Sequence, residues 1–417
     1  MSMTTSQHGA LRQETIETRA SWLVASTAVG IASVSFGAPY IAVVALKSIA
    51  ADLGSARSAA ALAFSLAYLG SALGGIIMGW AAERFGIRPV VVSGALMIAL
   101  GLTLSSLGGR NTLWLGHGVF IGFLGNGCIN APLYVYVSRW FDRRRGSAMS
   151  LFSSGPNLAG AIWTPVFARL ITALGWRHTM LIYAALAVAV IVPAALIVFR
   201  AAPDANTSVP AAVPARAGRC FAWPSGVVQG LLCLAAFLCC VPMSMPQGHL
   251  VAFCSDVGIS ATHGAAMLSV LLSCAFLSRQ FWGLVADRVG GLHTVLAGSM
   301  CQIIAMTGFL LTQDEAGLFA VAAAFGFGLA GIVPAYVVAI RDLFPPGEAS
   351  WRVPMLLLFN QSGMATGSWL AGTIYDHFGF YGAAFGAGIL FNAANLFVVG
   401  TLVLRQLTGN AGAAHRG

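Results

Sequence analysis

The sequence predicts an all-α membrane protein: twelve transmembrane helices arranged as two parallel six-helix pseudo-repeats. Three observations carry this. Only 8% of the 417 residues are charged while 58% are hydrophobic, and mean hydropathy is +0.82, against about 25% charged residues in an ordinary soluble domain. The apolar residues fall into twelve stretches, each near the roughly 20 residues needed to cross about 30 Å of hydrocarbon. The two halves also align without a gap at an offset of 204 residues. This composition excludes a soluble globular enzyme, a disordered chain, collagen and a coiled coil. The 49 Gly and 16 Pro lie within the apolar runs, where neighbouring helices re-satisfy the backbone groups they free.

Residues 1–21 are polar, with no apolar core before Trp22. No cleavable signal peptide is expected, and the segment reads as a cytoplasmic tail. Spans follow near 22–46, 59–80, 89–108, 113–138, 147–172 and 178–199, forming an amino-terminal bundle over 22–199. Residues 200–224 carry Pro203, Pro210, Pro214 and Pro224 without apolar periodicity and read as a cytoplasmic linker. Six more spans near 225–250, 263–286, 292–312, 316–340, 353–375 and 380–404 form the carboxyl-terminal bundle over 225–404, and 405–417 is a second cytoplasmic tail.

Orientation follows from the loops. With both termini inside, 16 of the 22 basic residues are cytoplasmic and four (Lys47, Arg57, Arg110, Arg177) are outside, leaving Arg169 and Arg279 within spans. The positive-inside rule therefore places both termini in the cytoplasm, in the cell's inner (plasma) membrane. The net charge of +9 reflects these loop arginines, not a basic face for nucleic acid. The eight cysteines form no CxxC pair, and no metal or cofactor is expected.

Residues 52–86 and 256–290 share Asp52/Asp256, Gly54/Gly258, Ala61/Ala265, Ser65/Ser269, Gly79/Gly283, Ala82/Ala286, Arg84/Arg288 and Gly86/Gly290, with Glu83 facing Asp287. The matched polar residues close the same helix end twice. Two parallel six-helix halves are the arrangement of transporters that rock around a central site. The loop Gly79-x-x-x-Glu83-Arg84-x-Gly86-x-Arg88 and its copy Gly283-x-x-x-Asp287-Arg288-x-Gly290 combine glycines for a tight turn with charges that can pair with neighbouring helix ends. This pattern resembles the loop 2–3 motif of the major facilitator superfamily, with Glu83 where that family usually has Asp. The resemblance covers essentially the whole chain and implies the major facilitator fold, with these nine residues as gating elements.

A second landmark, Arg139-Trp-Phe-Asp-Arg-Arg-Arg-Gly leading to Gly155, Pro156, Ala159 and Gly160, partly resembles the span 4–5 signature of monocarboxylate transporters and oxalate/formate-type relatives. Its small residues also read as plain close packing.

The third landmark is Arg279, eight residues before Asp287 at the cytoplasmic end of span 8, hence roughly 12 Å deep in a 30 Å core. A charge at that depth is costly and guanidinium does not deprotonate. Its repeat partner is Gly75, and none of the thirteen acids lies plainly mid-span. Two readings stand: a permanently paired structural arginine, or one facing a water-filled cavity that awaits an anion. Monocarboxylate transporters and the oxalate/formate exchanger carry a substrate-binding arginine on this helix, and the resemblance gives Arg279 the role of carboxylate clamp. Animal members also have an acid one turn earlier, where this chain has Ala275, and a span 1 lysine after Gly-x-Pro, where this chain has Tyr40 after Gly37-Ala38-Pro39.

Asp256 and His249 are then the candidates for proton coupling, although Asp256, shared with Asp52, reads equally as a helix cap. Asn126 and Asn130 lie four apart on one face of span 4 and Tyr134 extends that face. Tyr336 on span 10, with Phe359 and Asn360 on span 11, could close the carboxyl-terminal side. Each reads equally as an interhelical bond or packing residue. Apolar, aromatic surroundings favour a small monoanion over a sugar. The expectation is a secondary transporter for a small organic carboxylate, coupled to proton symport, with anion exchange as the alternative. No GxxxxGK[ST] loop argues for an ATP-driven pump, and no HExxH or buried acid pair argues for a membrane enzyme; a ligand sensor is the remaining rival.

Overall fold

The computed structural model describes residues 17–141, 144–200 and 223–414; nearly all of the expected linker and most of the expected amino-terminal tail lie outside them. Among the described residues ten helices are long and apolar enough to cross a membrane. One of these, 146–198, is two spans broken at Gly175, where φ is +78°. The helix Ala349–Phe378, richer in polar residues, completes twelve. In chain order they are α1 (Arg19–Val44), α2 (Arg57–Phe85), α3 (Ile87–Ser106), α4 (Arg110–Ser138), α5 (145–174), α6 (176–198), α7 (Ser225–Asp256), α8 (Ala261–Val289), α9 (Gly291–Leu311), α10 (Glu315–Leu343), α11 (Ala349–Phe378) and α12 (Tyr381–Ala414). A short helix, Leu46–Asp52, joins α1 to α2. The last helix runs through 405–414, which the sequence assigns to a tail.

The repeat is built into the backbone. Helices α2 and α8 each have 29 residues and start 204 apart. Among the described residues every positive φ belongs to glycine, and six of the eight fall in pairs 204 apart: Gly54/Gly258, Gly86/Gly290 and Gly175/Gly379. At Gly86 and Gly290 the angles agree within a few degrees (φ 86° and 88°, ψ 164° in both). A tight reversal between antiparallel spans needs left-handed backbone, which a Cβ resists.

The halves meet along two seams, α2 against α11 and α5 against α8. Small residues set their closeness. A Cβ on Gly160 would lie 2.0 Å from Leu272 Cδ1, and one on Gly372 would lie 2.7 Å from Ser58 Cα. Two hydroxyls also cross the α5–α8 seam, Ser269 Oγ to the Ala161 carbonyl and Thr164 Oγ1 to the Ala265 carbonyl. Inside the first half, residues 116–126 of α4 form a wider π-helical stretch, and the glycines of α2 admit its backbone: a Cβ on Gly74 would fall 2.0 Å from the Phe123 carbonyl oxygen. The described ends, at residues 17 and 414, lie on one face of the bundle, and the loops 53–56, 107–109, 257–260 and 312–314 on the far face.

Candidate functional site

Arg279 sits ten residues before the end of α8, roughly 15 Å along the axis. Its Nη1 donates to Ser153 Oγ on α5 at 2.9 Å, and its buried Nε has no partner. Among the described residues no carboxylate pairs with it. Gln280 Nε2 donates to Ser150 Oγ at 3.1 Å, so two side-chain bonds hold this part of α8 to α5. Tyr134 is within electrostatic reach of the guanidinium and packs edge-on against Phe152.

A second arginine shows what permanent pairing looks like. Arg352, which the sequence places in a cytoplasmic loop, is buried at the start of α11, 3% exposed. It donates to Glu348 at 2.6 and 2.8 Å and to Gln229 at 3.3 Å, under the ring of Phe344. Arg279 lacks such an acid.

The remaining predicted ligands are scattered. Tyr40 is fully buried, its ring against Phe64 and against the space over Gly160, with its hydroxyl beside that of Tyr68; it adjoins the α5–α8 seam. Asn126 is buried and accepts from Ser35 Oγ at 2.5 Å, while Asn130 is half-buried. Tyr336 points into the carboxyl-terminal bundle, donating to Asn395 Oδ1 at 2.9 Å in a network with Asn392 and Ser299. Its hydroxyl is thus spent within one half. Phe359 is exposed and Asn360 is buried with an unpartnered Nδ2. Sequence reading missed Asn157, one turn beyond Ser153 on α5, whose buried Nδ2 also lacks a partner. The signal was present: 204 residues on lies Gln361, beside Asn360.

The far face is tied across the halves by charge. Arg57, at the start of α2, donates Nη1 to Asp256 Oδ2 at 2.5 Å and Nη2 to Oδ1 at 2.9 Å, and Lys47 joins Oδ1 at 2.9 Å. Asp376 of α11 accepts the backbone N–H groups of Arg57 and Ser58 at 2.8 and 2.9 Å, satisfying two orphan donors of α2 from the opposite half. The Arg57 guanidinium lies 3.8 Å from the Tyr375 ring centre. Asp256 is therefore not the cap of the next helix: Ser260 caps α8, accepting from His263 N. Its repeat partner Asp52 is no cap either, accepting instead from Trp176 Nε1 and Arg177 Nη1. His249 is buried, its Nδ1 3.0 Å from Tyr381 Oη and its Nε2 2.8 Å from the Ser368 carbonyl. Arg57 Nη1 reaches the same Tyr381 oxygen at 3.1 Å.

The loop motifs differ between copies. Glu83 meets Arg139 at 3.7 Å with both side chains at least half exposed, a weak pair; Arg84 leans on Trp80 and Phe85; Arg88 Nε donates to the Phe199 carbonyl. Among the described residues neither Asp287 nor Arg288 makes an ion pair. The second copy is tied instead by Asp342, which accepts from Gly291 N at 3.1 Å. Gly79 and Gly283 face open space.

Comparison with known proteins places this geometry. A family model described as the Major Facilitator Superfamily matches residues 27–245 and 232–413. Monocarboxylate transporter 13 of Rattus norvegicus is 26% identical over 363 residues, covering 81% of this chain and 79% of its own. Monocarboxylate transporter 11 of Homo sapiens is 25% identical over 388 residues, covering 87% and 79%. An MFS-type transporter of Aspergillus niger, pynF, is 25% identical over 319 residues, covering 74% and 71%. Among solved structures, a D323A mutant of the nucleoside transporter NupG superposes with a TM-score of 0.68 at 11% identity, over 93% of this chain and 100% of that one. A bacterial homologue of the human lysosomal transporter Spinster, inward-facing and unoccupied, gives 0.66 at 17% identity over 94% and 97%.

Proposed function

The chain belongs to the Major Facilitator Superfamily and is a multi-pass membrane transporter similar to the monocarboxylate branch; from that premise we propose that it carries a small monocarboxylate-type organic anion by alternating access, in symport with a proton. Residues 22–199 and 225–404 are the two rocking bundles, joined by the linker 200–224. The face bearing both termini is cytoplasmic in the inner (plasma) membrane, as the loop arginines require.

The observation that carries the reading is Arg279: a guanidinium deep in α8, bonded to one serine and with an orphaned Nε. Unpaired charge in a low-dielectric interior is costly, so the missing partner is an anion that comes and goes. The fork of guanidinium donors fits a carboxylate bidentately. Tyr134 lies beside it; Tyr40, Asn126, Asn130, Asn360 and Phe359 are the further candidate ligands. Tyr336, spent on Asn395, is a structural member of its bundle.

Exchange of one carboxylate for another is the alternative and uses the same clamp. Uptake of radiolabelled lactate, pyruvate, formate and oxalate into proteoliposomes tests both. Accumulation that rises with an acidic exterior and collapses with a protonophore is expected. Uptake that ignores the protonophore but accelerates with internal carboxylate establishes exchange, and ligand binding without any flux establishes a sensor.

A further inference from the structure

A gate at one face is set by pH when a titratable group beside it is satisfied in only one protonation state. The hydrogen bonds at the far face single one out. A backbone carbonyl only accepts, so the 2.8 Å contact with Ser368 O requires a proton on His249 Nε2. In neutral imidazole Nδ1 is then bare and accepts from Tyr381 Oη at 3.0 Å. With its single proton committed to His249, Tyr381 Oη has lone pairs left for Arg57 Nη1 at 3.1 Å. Each bond along the chain from the Ser368 carbonyl through His249, Tyr381 and Arg57 to Asp256 sets a donor against an acceptor only while His249 is neutral.

We propose that His249 is a proton-sensing switch that opens the far-face gate through Tyr381 and Arg57. The proton adds to the Nδ1 lone pair, and no covalent bond breaks. Nδ1–H then points at Tyr381 Oη, whose own proton must turn away, and imidazolium and guanidinium bracket one oxygen. No free anion is at hand to offset this. Both oxygens of Asp256 are taken by Arg57 and Lys47, and both oxygens of Asp376 by the start of α2. The Tyr375 face is covered by Arg57. The contact that yields is Arg57–Tyr381, a bond between α2 of one half and α12 of the other. Protonated His249 and a closed far face exclude each other, so acidification holds that face open and the proton must leave before it shuts.

This deepens the alternating-access reading above, and its test needs no substrate. Spin labels on unnatural amino acids at Asn111, in the first turn of α4, and at Gln313, in the loop before α10, lie at the far face of opposite halves and report the opening in full-length protein in nanodiscs. Between about pH 8 and about pH 5, the long-distance population is expected to rise at least about threefold in the parent. It should not change in His249→Gln, whose amide can accept from Tyr381 and donate to Ser368 but takes no proton. Tyr381→Phe, which cuts the relay, should also lose the response. A parent that ignores pH overturns the proposal, as does either variant that still responds like it. A pH-driven gate in a protein that transports no carboxylate overturns the substrate reading alone. Proton-driven lactate uptake with a pH-insensitive gate overturns this proposal alone.

Discussion

Arg57 of the first half and Asp256 of the second meet as a two-bond fork, Nη1 on Oδ2 at 2.5 Å and Nη2 on Oδ1 at 2.9 Å. Their side chains are only 14% and 23% exposed, so water screens this pair less than a surface pair. The anion is common to both copies of the repeat, Asp52 and Asp256, but the cation is not: residue 261, opposite Arg57, is alanine. The gate is thus an asymmetric addition to a symmetric frame.

Asp256→Asn leaves Arg57 and Lys47 without their anion. A hydrogen bond to a charged group contributes roughly 1.5–3 kcal/mol, so the closed-to-open ratio at the far face should fall about tenfold, read from the same spin-label distances. Proton-driven accumulation and counterflow of lactate should decline together, because both need that face to close. Selective loss of accumulation would make Asp256 itself the proton carrier.

Arg279 and Arg352 should separate cleanly. Arg279→Ala removes a charge with no acid to strand, so the melting temperature should hold while carboxylate binding drops at least about tenfold, the value of one charge-assisted bond. Arg279→Lys keeps the charge but not the fork and should bind almost as poorly. Arg352→Ala strands Glu348 and Gln229 and should lower the melting temperature. Calorimetric binding and thermal unfolding read the two effects; normal carboxylate affinity in Arg279→Ala would remove the anion clamp.

Gly372→Ala tests the α2–α11 seam. Its Cβ would meet backbone, Ser58 Cα at 2.7 Å, which cannot rotate aside, and overpacking of this kind costs roughly 1–3 kcal/mol. The far face should be propped apart while the terminal face is unaffected, seen as faster labelling of a cysteine placed at Asn111.

Asp287→Asn probes the loop motif. Among the described residues Asp287 has no ion-pair partner in this conformation, so thermal stability should be unchanged. Turnover should slow several-fold with substrate affinity held within a few-fold, if the carboxylate finds its partner only when the halves rock. Unimpaired turnover in the inserted variant counts against a gating role.

Much was legible in the chain itself. Hydropathy and the 204-residue offset determined twelve spans and two copies, because a helix that crosses hydrocarbon must satisfy its own backbone and be apolar along its length. The isolation of Arg279 was legible too, since none of the thirteen acids lies at its depth. Tertiary structure alone decided the pairings. Asp256 reads locally as a helix cap, yet Ser260 caps α8 and Asp256 bonds across 199 residues to Arg57. Tyr336 reads as a cavity residue, yet it bonds to Asn395; Arg352 reads as a loop charge, yet it is buried on Glu348 and Gln229. Span count and depth follow from composition along one helix, whereas the direction of a side chain and the identity of its partner depend on how helices from different halves rotate against one another. That rotation is set by glycine contacts and cross-half bonds that no local pattern encodes.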